Sequence, residues 1–80
     1  MHVNVKLYSI FRLEHPDYDV EEGLKVNLEE ESTIMDLLIA LGIEQQRVAM
    51  VNLNGKITRD KSVALKEGDV VQVFPFFGGG

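Results

Sequence analysis

Apolar and polar residues alternate from the start of the chain. Val3, Val5 and Leu7 fall on one side of an extended backbone, and Asn4, Lys6 and Tyr8 on the other. That period of two predicts a half-buried strand. Residues 9–22 lose the alternation and contain His15-Pro16-Asp17, so they read as loop or turn. Leu24, Val26 and Leu28 restore it and predict a second strand. The period then changes. Ile34, Leu37, Leu38 and Leu41 recur at i, i+3, i+4 and i+7, one apolar stripe on a helix, with all four expected to be largely buried against a sheet. Ser32 or Thr33 can cap it, Thr33 with Asp36 has the spacing of a capping box, and Gly42 suits its C-terminal stop. Residues 48–53 predict a strand, Asn54-Gly55 a tight hairpin turn, and Lys56-Ile57-Thr58 the start of the return strand. Lys66-Glu67-Gly68-Asp69 reads as a further turn leading into Val70-Val71-Gln72-Val73-Phe74. The order ββαβββ predicts an α+β roll, with one helix packed on a mixed sheet of four to five strands.

Composition narrows the picture. Eighty residues make room for one domain, read here as 1–80 with a C-terminal glycine tail from about residue 75. The chain has no cysteine, which removes disulfides, thiolate metal sites, a thiol nucleophile and ferredoxin-type iron–sulfur chemistry together. Residues 13–46 carry ten acids against one base, Lys25, an acidic stretch that nucleic acid would repel. A solvated face is the first reading of these acids, and steering toward a basic partner the second. Glu29, Glu30 and Glu31 precede the helix N-terminus, where negative charge complements the dipole. No apolar run approaches the roughly 20 residues of a membrane span, and the N-terminus lacks the blocks of a signal peptide. A cytoplasmic protein without nucleic-acid or membrane partners is expected. His2 and His15 are isolated, read as incidental surface histidines, and no metal site is expected. Arg12 follows the first strand and reads as an ordinary surface ion pair as readily as a functional position.

The C-terminus is unusual. Phe74, Phe76 and Phe77, three of the four phenylalanines, crowd the last seven residues and lead to Gly78-Gly79-Gly80. An apolar end with a glycine tip is an aggregation liability unless something binds it. Glycine has no side chain to obstruct a narrow channel and reaches backbone conformations closed to other residues. Ordering such a tip costs on the order of 1–2 kcal/mol per residue, and burying two phenylalanines on a partner returns roughly 1.5–3 kcal/mol each. If Val71 and Val73 face the core, Phe74 lies on the outer face and is the first choice for an exposed contact. The competing reading has the phenylalanines folded into the core and the glycines idle.

Residues 71–80, preceded by Leu65-Lys66-Glu67-Gly68-Asp69, resemble the ending of the β-grasp (ubiquitin-like) sulfur carriers, and more narrowly the molybdopterin synthase small subunit. Members of that family end in a Gly-Asp turn, a last strand, Phe-Pro-Pro and Gly-Gly. The run from Val5 to Arg12 is similar to the family's first strand and following aromatic. Thr33 to Leu38 and Val51 to Gly55 match its helix start and central hairpin. Phe76 replaces the second proline, Gly78 adds a third glycine, and residues 14–23 are longer than usual.

The resemblance implies a carrier without an active site of its own. A ubiquitin-activating-type enzyme would join the Gly80 carboxylate to AMP from ATP, and sulfur would replace AMP to give a thiocarboxylate. A synthase large subunit would then receive the tail. Gly79 and Gly78 would give access, and Phe74, Pro75, Phe76 and Phe77 would contact partners. No cofactor is expected on the chain itself, the ATP being used by the activating enzyme. Molybdopterin synthesis is the first pathway, with thiamin synthesis, tRNA thiolation and cysteine synthesis as others. A protein modifier conjugated through Gly80 and an inert β-grasp interaction module are the remaining classes.

Overall fold

The computed structural model describes residues 1–76, and Phe77, Gly78, Gly79 and Gly80 lie outside the described residues. In chain order the elements are strand β1 (His2–Leu7), a one-turn helix α1 (Ile10–Leu13), strand β2 (Leu24–Asn27) and helix α2 (Ile34–Leu41). A 3-10 turn (Gln45–Arg47) and strands β3 (Val48–Leu53), β4 (Lys56–Thr58) and β5 (Val70–Pro75) follow. One mixed sheet has the order β2-β1-β5-β3-β4. β1 and β5 run parallel in its middle, and the other neighbours are antiparallel. This is the β-grasp roll expected from the sequence, with β5, the strand that bears the tail, at its centre.

Alternation places the core as predicted. Val3, Val5 and Leu7 from β1, with Val71 and Val73 from β5, are buried under α2. Ile34, Leu37 and Leu38 of the helix stripe are wholly buried, while Leu41 packs half-buried at the rim. The helix start is fully satisfied. Thr33 Oγ1 accepts from the Asp36 N–H at 3.2 Å, and the Thr33 N–H donates to Asp36 Oδ2 at 2.9 Å, completing the capping box. The Ile34 and Met35 N–H groups donate to the carbonyls of Val63 and Lys61. The donors a helix N-terminus leaves open are thus taken within the chain, and the preceding acids have no anion site to compete with. At the far end Gly42 adopts φ 73°, and the Ile43 N–H reaches back to the Leu38 carbonyl, closing the helix and burying Ile43 behind it.

The hairpin reading also holds. Asn54 and Gly55 both take positive φ (52° and 93°), the two-residue turn whose twist matches the strands. Asn54 then ties this turn to β5: its Nδ2 donates to Asp69 Oδ1 at 2.8 Å, and its Oδ1 accepts from the Val70 N–H at 2.8 Å.

Residues 9–22 differ from the expected irregular loop. Ser9, at φ 55° and ψ −129°, turns the chain sharply into α1, and Phe11 enters the core with no exposure. One helical turn with no side-chain cap leaves neither a period nor a stop signal to read. The stretch that follows seals the edge of β1 beyond the end of β2, where the Leu7 N–H donates to the Tyr18 hydroxyl oxygen. Gly23 permits this close course. Its φ is +75°, and a Cβ there would lie 2.5 Å from the Val5 carbonyl oxygen.

Candidate functional site: the end of the sheet where the tail leaves

Because β1 and β5 are parallel, α1 and the tail leave from the same end of the sheet. Val71 and Val73 face the core, so Val70, Gln72 and Phe74 face away, as alternation requires. Phe74 is not a free ring. It lies opposite Met50 on β3 and stacks on Tyr8, with centroids 4.6 Å apart and planes 9° from parallel. The outer face therefore carries an apolar row, Tyr8–Phe74–Met50, beside the exit.

Pro75, expected in the tail and as a partner contact, is instead the last residue of β5, paired with Val48 and buried. The ladder slips between Val48 and Met50, and such an irregularity at a strand end accommodates a residue with no N–H to donate. Phe76 is the first residue beyond the strand and is 67% exposed. Phe77, Gly78, Gly79 and Gly80, the remaining expected site residues, lie outside the described residues.

The underside of the exit is braced by side chains that carried little signal in the sequence. The Arg47 guanidinium lies 5.3 Å from the Phe11 ring centroid, a cation–π contact. It also donates to both carboxylate oxygens of Glu14, at 3.0 and 2.8 Å. Those hydrogen bonds hold the Glu14 carboxyl below the usual carboxylate range and raise the guanidinium above its own. Arg12, where an ion pair or a contact was expected, is exposed and pairs with no carboxylate among the described residues. His15 is not an incidental surface histidine. Half-buried, its two ring nitrogens lie 2.7 and 2.9 Å from the carbonyl oxygens of Phe11 and Leu41, which fastens α1 to the end of α2. A positional cue existed for the Glu14–Arg47 pair in the opposite charges flanking the helical region. Nothing in the spacing links residue 14 to residue 47.

Among the described residues no group of three or more histidines and carboxylates is placed to hold a metal ion. No helix among them is long and apolar enough to cross a membrane.

The model of the ThiS family matches residues 14–80. No curated protein matches the chain. Among solved structures, the putative molybdopterin converting factor subunit 1 from Pyrococcus furiosus superposes with a TM-score of 0.74 at 23% identity, over 94% of this chain and 97% of that one. SAMP1 from Haloferax volcanii gives 0.69 at 20% identity, and the thiamine biosynthesis protein ThiS from Geobacter metallireducens 0.64 at 25%, each over 100% of both chains. The family match runs from the loop after α1 through the apolar exit to the last glycine, and on that match the chain belongs to the ThiS family of β-grasp sulfur carriers.

Proposed function

We propose that the chain is a sulfur carrier whose working group is the terminal carboxylate of Gly80. The observation that carries the reading is the placement of Phe76. β5 is gripped between two neighbours up to Pro75, and the chain then leaves the sheet through an exposed aromatic toward Gly78-Gly79-Gly80. A carboxylate with a reference pKa of about 3.3–3.7 is ionised at neutral pH. One of its oxygens attacks the α-phosphate of ATP on an adenylating partner, pyrophosphate leaves, and an acyl adenylate forms. A sulfur nucleophile then displaces AMP and leaves a thiocarboxylate, which donates sulfur on a synthase. On this reading the fold need supply no catalytic group for these steps. It supplies a fixed base, and from Phe76 four extended residues span at most about 14 Å. The partner's reacting centre must therefore lie close to the exit, where Phe74 and Phe76 are placed to anchor it.

Molybdopterin synthesis is the first pathway, supported by the ending shared with the molybdopterin synthase small subunit and by the likeness to the Pyrococcus protein. Thiamin synthesis is the second reading, supported by the family model and the Geobacter structure.

The test is to delete Gly80, or append one alanine, and assay ATP-dependent adenylation with the adenylating enzyme of the same organism. Both changes should abolish it while leaving the melting curve unchanged. Full activity in both variants would sink the carrier reading. Intact mass of the protein from its native host should show one S-for-O exchange, and supplying the thiocarboxylate to each synthase in turn decides the pathway.

A further inference from the structure

The chain has four asparagines, and only Asn54 is followed by glycine. Asn4, Asn27 and Asn52 precede Val5, Leu28 and Leu53, whose side chains crowd the peptide nitrogen next to the carboxamide. Gly55 leaves the nitrogen beside Asn54 open, and a Cβ added at Gly55 would meet nothing within 4 Å. The pair sits exposed at the tip of the β3–β4 hairpin. Yet each atom that an attack of the Gly55 nitrogen on the Asn54 carboxamide would use is engaged. The Gly55 N–H donates to Asn52 Oδ1 at 2.7 Å. Asn54 Nδ2 donates to Asp69 Oδ1, and Asn54 Oδ1 accepts from the Val70 N–H, both at 2.8 Å. The Asn54 N–H donates to the Val70 carbonyl at 2.9 Å, and Asp69 is itself fixed by the Lys66 N–H at 2.8 Å.

We infer that Asn54 is a latent modification site: the closed hairpin preserves its carboxamide, local opening lets it lose ammonia, and the product keeps the hairpin from reseating on β5. Asparagine is thermolabile through this chemistry, and water is the one co-reactant it needs. The Gly55 nitrogen gives up its proton and bonds to Asn54 Cγ, the Cγ–Nδ2 bond breaks, and Nδ2 leaves as ammonia. Water then opens the cyclic imide, at one carbonyl to aspartate and at the other to an isoaspartyl linkage. Neither product fits. Aspartate sets two carboxylates at the spacing now spanned by a hydrogen bond, with no donor between them. The isoaspartyl form adds a main-chain carbon to a two-residue turn whose length fixes the register of β3 against β4. Ammonia does not return, so an opening long enough to admit the step leaves a permanent mark. The mark falls at the first residue of β5, where the two halves of the sheet meet. Nothing in this depends on what the tail carries.

Incubation of the whole protein at mildly alkaline pH, folded in buffer or unfolded in guanidinium chloride, tests the chemistry. Mass spectrometry should show an NH-for-O exchange in the tryptic peptide of residues 48–56, placed at Asn54 by fragmentation. It should run at least about tenfold faster in the unfolded chain, since only open molecules can react. Exchange equally fast in the folded protein overturns the proposal, as does its absence or its appearance at another asparagine instead. The product is tested by Asn54→Asp beside Asn54→Gly, which loses the same hydrogen bond without adding charge. In urea, Asn54→Asp should lower the folded-to-unfolded ratio about tenfold at low salt, from a lost hydrogen bond and two facing carboxylates. Salt should restore part of that loss, and Asn54→Gly should lose less. Amide hydrogen exchange in Asn54→Asp should quicken at residues 54 and 70 more than at Leu38 in α2. An Asn54→Asp protein as stable as the parent, or more stable than Asn54→Gly, overturns the claim that the modified hairpin fails to seat.

Discussion

Phe11 and Phe76 both sit at the end of the sheet where β1 and β5 finish, one wholly buried and the other 67% exposed. The buried ring is held by everything around it. Arg47 covers it, Glu14 fixes Arg47, and His15 fastens its backbone carbonyl to the end of α2. The exposed ring follows the last strand residue. Two aromatics of one type at one end of a small domain thus differ in role: one secures the base, and the other, on the proposed reading, is left for a partner. The difference comes from connectivity. Phe11 lies on a segment that must return across the sheet, while Phe76 lies on one leaving the last strand.

The largest test of that division is Phe11→Ala, which should cost about 3–5 kcal/mol in urea denaturation, since it empties a wholly buried site and removes the ring on which Arg47 rests. A cost as small as that of Phe76→Ala would erase the distinction. Gly23→Ala, which drives a Cβ into the Val5 carbonyl at positive φ, should cost about 1–3 kcal/mol and loosen the segment that follows α1. Arg47→Ala should lower the urea midpoint less than Gly23→Ala does and should expose Phe11 to solvent in near-ultraviolet circular dichroism. Phe76→Ala should change stability by less than about 0.5 kcal/mol yet weaken partner binding by about 1–3 kcal/mol.

The smallest effect concerns pH. The folded Glu14 carboxyl titrates below its ordinary range because of Arg47, so the unfolded chain binds more protons there, and stability rises with pH across that window. The contribution is complete at neutral pH and is lost as acid passes below the lowered value. Glu14→Gln should therefore differ from the parent at neutral pH, and the gap should close as acid passes below the lowered carboxyl range and in high salt.

The legible and illegible parts of the chain separate along the same line. β1, α2 with its capping box, the Asn54-Gly55 hairpin and β5 each announce themselves within a few neighbouring residues, by period two, by i, i+3, i+4 spacing or by turn chemistry. What went unread depends on residues distant in sequence. Phe11 carries no periodic company; it is buried in a core assembled from distant strands and the helix, with Arg47, thirty-six positions later, over its ring. His15 looks isolated because its partners are main-chain oxygens, one of them on Leu41. At the exit, alternation placed Phe74 on the outer face but could not show Tyr8 stacked on it. The sequence reading of Pro75 as tail missed that a slipped ladder opposite Val48 lets a proline finish the strand.

The place of β5 has a consequence for how the chain assembles. The β1–β2 and β3–β4 pairs each join strands that follow one another in the chain, yet they share no hydrogen-bonded border in the sheet. Among the described residues they are joined in the sheet by a strand made of residues 70–75, synthesised after both, and its pairing with β1 joins positions separated by nearly the whole chain. Contacts of such sequence separation carry a large loop-closure cost and slow folding. The sheet consequently cannot close until the segment bearing the tail has taken its seat, and a chain that lost β5 would present two unjoined edges rather than a weakened version of the same domain. Possession of a fold and possession of the tail are in this way tied together: the strand that precedes the glycines in the chain is also the keystone of the sheet.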